Sequence, residues 1–325
     1  MTTDSSQRTP GILLSNLGTP DSPEVKDVRR YLKQFLSDKR VIKLWKPLWW
    51  LILNLIILRT RPARSAQAYS KIWTDEGSPL LVESRRQLAL LRKRMPSIPI
   101  ELGMRYGNPS IQSALEALHQ QGVNHFVVLG LYPQFSYTTI SSVKDEVLRF
   151  IEDRHTFCSF SMICDYHDHD SYIETVSGSI QNYQDKHGRA DRLLMSFHGI
   201  PKKYAEDGDP YPEQCRKSAN LIADRLQLEN HEWSFSFQSR LGPTEWLKPY
   251  TDETLEAWGK EGVKSIQVVC PGFSVDCLET LEEIAMENSF VFQESGGGHF
   301  SYIPCLNSST PHIEMMIDLI DGKLK

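Results

Sequence analysis

An α/β protein built from two similar halves is what this sequence predicts, and two observations carry the prediction. Strand-like apolar runs alternate with helical patterns along the whole chain, the order that gives largely parallel sheets with helices on both faces. The chain also matches itself. "LEALHQQGVNHFVVLGLYPQFS", starting at Leu115, aligns with "LEAWGKEGVKSIQVVCPGFS", starting at Leu255, and "LLSNLGTP" at Leu13 aligns with "LMSFHGIP" at Leu194. Both pairs lie in the same order, as expected for a duplicated unit. The strand runs are Ile12–Ser15, Ile100–Arg105, Phe126–Leu131, Phe157–Ile163, Leu193–Ser196, Trp233–Gln238, Ile266–Val269 and Phe300–Ile303. The first helix is signalled by Ser22 as a cap, Pro23 in the first turn and an apolar face of Val25, Val28, Leu32, Phe35 and Leu36. The expected organisation is a disordered N-terminus over 1–9, a first half over 10–150, a connecting βα segment over 151–190 and a second half over 191–325 that ends in a helix.

The 325 residues suffice for two domains with packed cores. A hydrophobic fraction of 40% and a charged fraction of 24% are those of a soluble globular chain. The net charge of -5 argues against a general nucleic-acid binder, which needs a basic surplus or stripe. Charge is nevertheless unevenly spread. From Lys39 to Lys71 there are eight Lys or Arg and no Asp or Glu, which favours anionic lipid or acidic ligand groups nearby. Inside that stretch runs "KPLWWLILNLIILRTRP", Lys46 to Pro62, where Asn54 is the only polar side chain between Leu48 and Leu58. Such a segment spans about 16 Å as a helix against roughly 30 Å of hydrocarbon, so it cannot cross a bilayer. It is either a buried core helix or a surface that meets lipid or a flat apolar ligand. The polar start "MTTDSSQRTP" lacks the apolar core of a signal peptide, and a cytoplasmic protein is expected. Cys158, Cys164, Cys215, Cys270, Cys277 and Cys305 form no C-x-x-C pair, the pattern of reduced thiols.

The halves differ in chemistry where they match in pattern. Leu17 of the first half is replaced by His198 in the second, and Ser141 by Glu279. Carboxyl ends of strands line the ligand crevice in open α/β sheets, so His198 and Glu279 are candidates to meet across one cleft. Asp276, Glu279 and Glu283 are spaced three and four apart, predicting one acidic helical face opposite Leu278, Leu281, Ile284 and Ala285. That face is either merely solvated or a track for a divalent cation or protons. In "DYHDHD", Asp165 to Asp170, His167 and His169 have a spacing compatible with metal ligation and equally suit a loop before a helix. "ESGGGHF" reads as a flexible loop, since no dinucleotide fingerprint follows a strand there. No nucleophile elbow supports hydrolase chemistry.

Taken together, "LLSNLGTPDSPEVKDVRRYLKQFLSD", "MRYGNP", "YPQFSYTT", "SFHGIPKKYAEDGDPYPEQC", "FQSRLGPTEWLKPYTDETL" and "DCLETLEE" resemble the ferrochelatases along nearly the whole chain. The resemblance implies a chelatase-like fold: two Rossmann-like halves, each a doubly wound parallel four-stranded sheet, around a central cleft. It also implies the insertion of Fe(II) into protoporphyrin IX to make protohaem, the terminal step of haem biosynthesis. By the same resemblance His198 and Glu279 are the active-site pair and the metal-handling residues. Asp276 and Glu283 extend the acidic track, and Leu17, Arg105, Tyr106, Tyr137, Trp246 and Phe273 line the porphyrin cleft. Cys277 stands where some relatives carry His. The chain ends at Lys325 without the cysteine-bearing extension of some relatives, so no iron-sulfur cluster is expected. No cofactor is expected to be permanently bound, with iron and protoporphyrin IX entering as substrates.

The chemistry implied has physical requirements. A planar free-base porphyrin hides its nitrogen lone pairs and holds two N–H protons, so binding energy spread over the macrocycle must bend it. A neutral imidazole, of ordinary pKa about 6.5, can take a pyrrole proton or ligate iron, the task expected of His198. Carboxylates suit hydrated ferrous iron and can pass protons outward, the task expected of Glu279 with Asp276 and Glu283. The resemblance places 45–64 at one lip of the cleft, where it would rest on the inner face of the membrane with Lys43, Lys46, Arg59, Arg61 and Arg64 as a basic rim. Contact with the preceding haem-pathway enzyme is a further expectation, and no nucleic acid is expected. Two alternatives stay open: a tetrapyrrole or haem carrier, and a related chelatase acting on another metal or on coproporphyrin.

Overall fold

The computed structural model describes residues 8–154, 158–242 and 244–324. Most of the N-terminus expected to be disordered, and Phe157 at the start of the fourth predicted strand, lie outside them. Eight strands form: β1 (Pro10–Thr19), β2 (Ile100–Gly107), β3 (His125–Gly130), β4 (Ser159–Ile163), β5 (Arg192–His198), β6 (Trp233–Gln238), β7 (Ser265–Val269) and β8 (His299–Ile303). They pair in parallel throughout, as two four-stranded sheets of order β2-β1-β3-β4 and β6-β5-β7-β8. Each order is the other shifted by four strands. The self-matches fall on equivalent elements: β1 on β5, and the helix Ile111–Gln120 with β3 on the helix Thr251–Lys260 with β7.

Successive strand residues point to opposite faces, and the core follows. Leu13, Phe126 and Val128 face the helices Ile111–Gln120 and Ile140–Arg154 on one side. Ile12, Leu14, Val127 and Leu129 belong to a second cluster, which continues into Met195, Phe197 and Val269 of the other sheet. One apolar core therefore runs through both halves.

Four expectations are corrected. The segment 151–190 is not a separate connector, because its strand β4 is the fourth of the first sheet. The terminal helix Thr310–Leu324 does not stay with the second half either, and packs back on β3, β4 and the helices Pro79–Arg94 and Asp170–His187. Ser22 does not cap the first helix, Val25–Leu36. Its hydroxyl donates to Asp27 Oδ2 at 2.6 Å, and Glu24 occupies the cap position. The Gly-rich run is also tighter than a loose loop, since Gly297 N–H donates to Phe292 O and Gly298 N–H to Val263 O, both at 3.0 Å.

Two buried features position the site and are open to test. Gly18, near the end of β1, sits at φ +105, and a Cβ there would lie 1.7 Å from the Tyr106 carbonyl oxygen. Gly18→Ala is therefore expected to cost more than about 3 kcal/mol by urea denaturation, strain and collision together. Gly122→Ala, at φ +84 with open space around it, should cost only about 1–2 kcal/mol. Equal costs would show that the collision relaxes.

His312 is fully buried in the terminal helix, its Nδ1–H donating to Asn307 O at 2.6 Å, and burial pulls its pKa down to about 4. The folded value lies below the unfolded one of about 6.5. Stability is complete above that value and is lost as pH falls through the window toward about 4. Denaturation at pH 7 and pH 5 should differ by roughly 2 kcal/mol on this account, and His312→Gln should remove that part. An unchanged acid limb in the variant would assign the loss to other groups.

Candidate active site

His198 is the last residue of β5, in register with Gln238 of β6. Its Nδ1 lies 2.6 Å from the carbonyl oxygen of Gly199. A carbonyl only accepts, so Nδ1 carries a proton, and in the neutral ring the lone pair is on Nε2. The Phe273 ring stands 6.4 Å away, tilted by 49°. Gly199 is required next to His198, because a Cβ would lie 2.9 Å from Gln238 O and 3.2 Å from the Trp246 ring.

Glu279 and Glu283 lie on a helix that is π-wound from Glu279 to Asn288, a rare winding often found at functional sites. The helix is packed on two sides. Leu278 and Leu281 meet the cluster of the helices Val25–Leu36 and Leu58–Ile72, while Ile284 meets Leu194 and Val268 of the second sheet. The predicted single apolar stripe is thus divided between two neighbours.

Glu283 is held by the turn after β6. Ser239 N–H donates to its Oε1 at 2.6 Å, the Ser239 hydroxyl donates to its Oε2, and Ser239 itself adopts φ +67. Burial pushes the Glu283 carboxyl up. The Ser239 bonds and the nearby His198 oppose that shift, and Glu279 adds to it. The neighbouring thiol of Cys277 is buried and pushed well up, with the Glu279 carboxylate within hydrogen-bonding reach adding to the effect.

The acidic face is corrected at Asp276. It precedes the helix, and its carboxylate accepts from Tyr302 Oη at 2.6 Å, Asn307 Nδ2 at 2.7 Å and Thr280 Oγ1 at 3.2 Å. Asp276 therefore anchors the start of the helix to the loop after β8, while Glu283 lies near both His198 and Glu279.

Arg105 and Tyr106 also differ from expectation. The Arg105 guanidinium meets Asp38 Oδ2 at 2.6 Å, and the Tyr106 hydroxyl donates to the same oxygen at 2.8 Å. Tyr106 is fully buried behind Phe35, ring centres 5.0 Å apart. Burial alone would raise the Asp38 carboxyl. Hydrogen bonds from Ser142, the Arg40 amide and Tyr106, with the Arg105 charge, bring it below the ordinary range. The pair braces the wall from behind, because a buried carboxylate draws both side chains inward. Leu17, Phe273, Trp246 and Tyr137 are half-buried. Trp246 is fixed by its indole N–H to Leu241 O at 2.8 Å, and Tyr137 by its amide to Asp209 Oδ2 at 2.9 Å.

Sequence reasoning missed the residues that hold the carboxylates in place. Gln238 Nε2 donates to Glu279 O at 2.8 Å, and its Oε1 accepts from the Ser196 hydroxyl at 2.7 Å. Tyr31 and Tyr69 are buried phenols near Glu279, pushed well up by burial first and by that carboxylate in addition. Gln238 and Ser239 stand in the quoted "FQSRLGP" motif, the signal that marked them.

The lip is a helical run of Lys46–Ile52, a π-turn Leu53–Ile57 and Leu58–Ile72. Leu53 and Leu58 are buried, and the partly buried Trp49 donates its indole N–H to Leu36 O at 2.7 Å. Trp45, Trp50, Leu51, Leu55 and Ile56 are exposed. In "DYHDHD" the ligating atoms of Asp165, His167 and Asp168 lie within 4.8 Å of one another, whereas His169 turns away to Ser171. Asp168 is already paired with Lys217 at 2.5 Å and Asp165 with His167 at 2.8 Å.

Against known proteins, the family model described as Ferrochelatase matches residues 9–324. The Ferrochelatase of Thioalkalivibrio sulfidiphilus is 50% identical over 95% of this chain and 85% of its own. That of Klebsiella pneumoniae is 50% identical over 95% and 97%, and that of Vibrio parahaemolyticus 49% identical over 97% and 98%. The solved structure of SirB from Bacillus subtilis with Fe3+ shares the fold at a TM-score of 0.58 and 13% identity, covering 97% of each chain. With a family model over nearly the whole chain and relatives of this identity in agreement, the chain belongs to the ferrochelatase family.

Proposed function

We propose that the cleft inserts ferrous iron into protoporphyrin IX, with His198 Nε2 as the acceptor of a pyrrole proton and Glu279 as the oxygen ligand that receives the metal. The single observation that supports these roles is the 2.6 Å bond from Nδ1 to Gly199 O. Of the two neutral tautomers it selects the one with its lone pair on Nε2. Two protons leave the porphyrin for each Fe(II) that enters, so the site needs a basic nitrogen and an onward path. Glu283, whose carboxyl is pushed up by burial and lies near both His198 and Glu279, suits the second step, because a raised pKa lets it hold a proton in transit. Asp276 supports the reaction from outside, by fixing the start of the helix.

An anaerobic assay that follows porphyrin fluorescence and the haem spectrum tests the roles. His198→Ala should lower the metallation rate by about 10²-fold or more while porphyrin binding, read by tryptophan quenching, persists. Near-normal turnover would sink the assignment. Glu283→Gln should slow turnover roughly tenfold with little change in melting temperature, since removing a charge disfavoured by burial offsets the lost bonds. A lowered melting temperature with an unchanged rate would make Glu283 purely structural. If the unmodified protein binds porphyrin and never metallates it, the carrier alternative is the right one.

The lip supports a second reading, peripheral contact with lipid. Trp45, Trp50, Leu55 and Ile56 are 73%, 60%, 51% and 58% exposed, an apolar patch that a purely structural helix would not leave in water. No described helix is long and apolar enough to cross a membrane. Trp50→Ser with Leu55→Ser should cut vesicle binding on the order of tenfold at an unchanged melting temperature, the loss of two inserted side chains. Unchanged sedimentation with vesicles would remove this reading.

A further inference from the structure

Beside the lip lies a groove of about 430 Å³ lined by Lys26, Arg29, Arg30 and Lys33 on one side and Asn54, Leu58 and Arg59 on the other. We propose that it binds the phosphodiester headgroup of an anionic glycerophospholipid, an inference that rests on the reading of the lip as a lipid contact. The four cations on the helix Val25–Leu36 recur at spacings of three, one and three residues, which puts all four on one face. Like charges four apart, Lys26 with Arg30 and Arg29 with Lys33, oppose helix formation. The Arg30–Asp27 pair and the place of Lys33 in the last turn offset this locally.

Its charges are only partly answered within the protein. Arg30 pairs with Asp21 at 2.6 Å and Asp27 at 2.9 Å, and Lys26 with Glu24 at 2.9 Å. Lys33, Arg59 and Arg29 have no carboxylate in ion-pair range among the described residues. Arg29 is nevertheless fixed in place, because its Nε–H donates to Leu58 O at 3.0 Å. That bond leaves the two terminal amino groups of the guanidinium free, an ordered fork suited to a phosphate. The opposite wall includes the π-turn Leu53–Ile57, so Asn54 faces the groove while its neighbour Leu55 is exposed. Uncompensated cations on a chain of net charge -5 and continuity with an exposed apolar patch fit a ligand with an anionic head and an apolar tail.

The test is sedimentation of the full chain with phosphatidylcholine vesicles and with vesicles containing one-third phosphatidylglycerol at physiological ionic strength. Arg29→Gln with Lys33→Gln should lose the phosphatidylglycerol-dependent gain, about fivefold for each cation removed, and keep the weaker phosphatidylcholine binding and the melting temperature. Lys93→Gln with Lys264→Gln removes the same charge from exposed positions outside both the groove and the lip and should lose clearly less. Equal losses in the two pairs would reduce the effect to diffuse attraction and overturn the site. A rise in porphyrin KM in Arg29→Gln with Lys33→Gln, assayed without vesicles, would reassign the groove to substrate carboxylates. If this pair keeps full phosphatidylglycerol binding while Trp50→Ser with Leu55→Ser loses it, the headgroup site fails and the lip stands. If the lip variant binds as the unmodified protein does, the lip reading itself has failed.

Discussion

The arrangement of the site depends on one buried amide. Gln238 closes β6, and its side chain reaches Ser196 on β5 in one direction and the Glu279 carbonyl in the other. Its own carbonyl accepts from Gly199 N–H at 2.8 Å, and Gly199 O in turn accepts from the His198 ring. A buried amide left unpaired costs more than a typical hydrogen bond contributes, so strand end, imidazole and carboxylate helix are held in one mutual geometry. The spacing between the histidine and the carboxylates is thus set by backbone and amide groups that do not ionise. The site can change protonation without losing its frame.

That separation of roles runs through the cleft. Asp276, Asp38 and Asp209 are carboxylates whose oxygens are taken up by protein donors, and each fixes a segment: the start of the π-wound helix, the first-half wall and the turn carrying Tyr137. Glu283 lies between the two kinds, bonded by Ser239 yet pushed up by burial. Its environment therefore disfavours the charged form on one side while the Ser239 bonds favour it on the other.

Much of the fold was legible in the sequence, because strand periodicity and an internal repeat are local signals that tertiary context reinforces. All eight strands were foreseen, and the repeat placed β1 on β5 and β3 on β7. What the sequence concealed is long-range. The return of the terminal helix to the first half is decided by a core that spans both sheets, and no window of sequence contains it. Asp276 looked like part of one helical face because a spacing of three residues implies a face only if the helix has already begun. The resemblance put Arg105 and Tyr106 in the cleft lining, and the carboxylate that draws both inward, Asp38, lies far from them in the chain. His198 and Glu279 stand out as candidates for the opposite reason: the repeat supplies its own control, an apolar or neutral residue at the matching position of the other half.

The two π-wound segments, Leu53–Ile57 and Glu279–Asn288, lie in the exposed apolar run and in the carboxylate helix, and the structure joins them. The helix that continues the lip, Leu58–Ile72, packs on the carboxylate helix, with Lys71 paired to Glu282 at 2.5 Å and Leu278 and Leu281 inside the same apolar cluster as Leu53 and Leu58. The ion pair is half exposed on the lysine side and adds little by itself. The shared apolar packing is the stronger tie, since close-packed side chains transmit displacement. A displacement of the helical run 46–72 is therefore passed to the helix that carries Glu279 through Leu278 and Leu281.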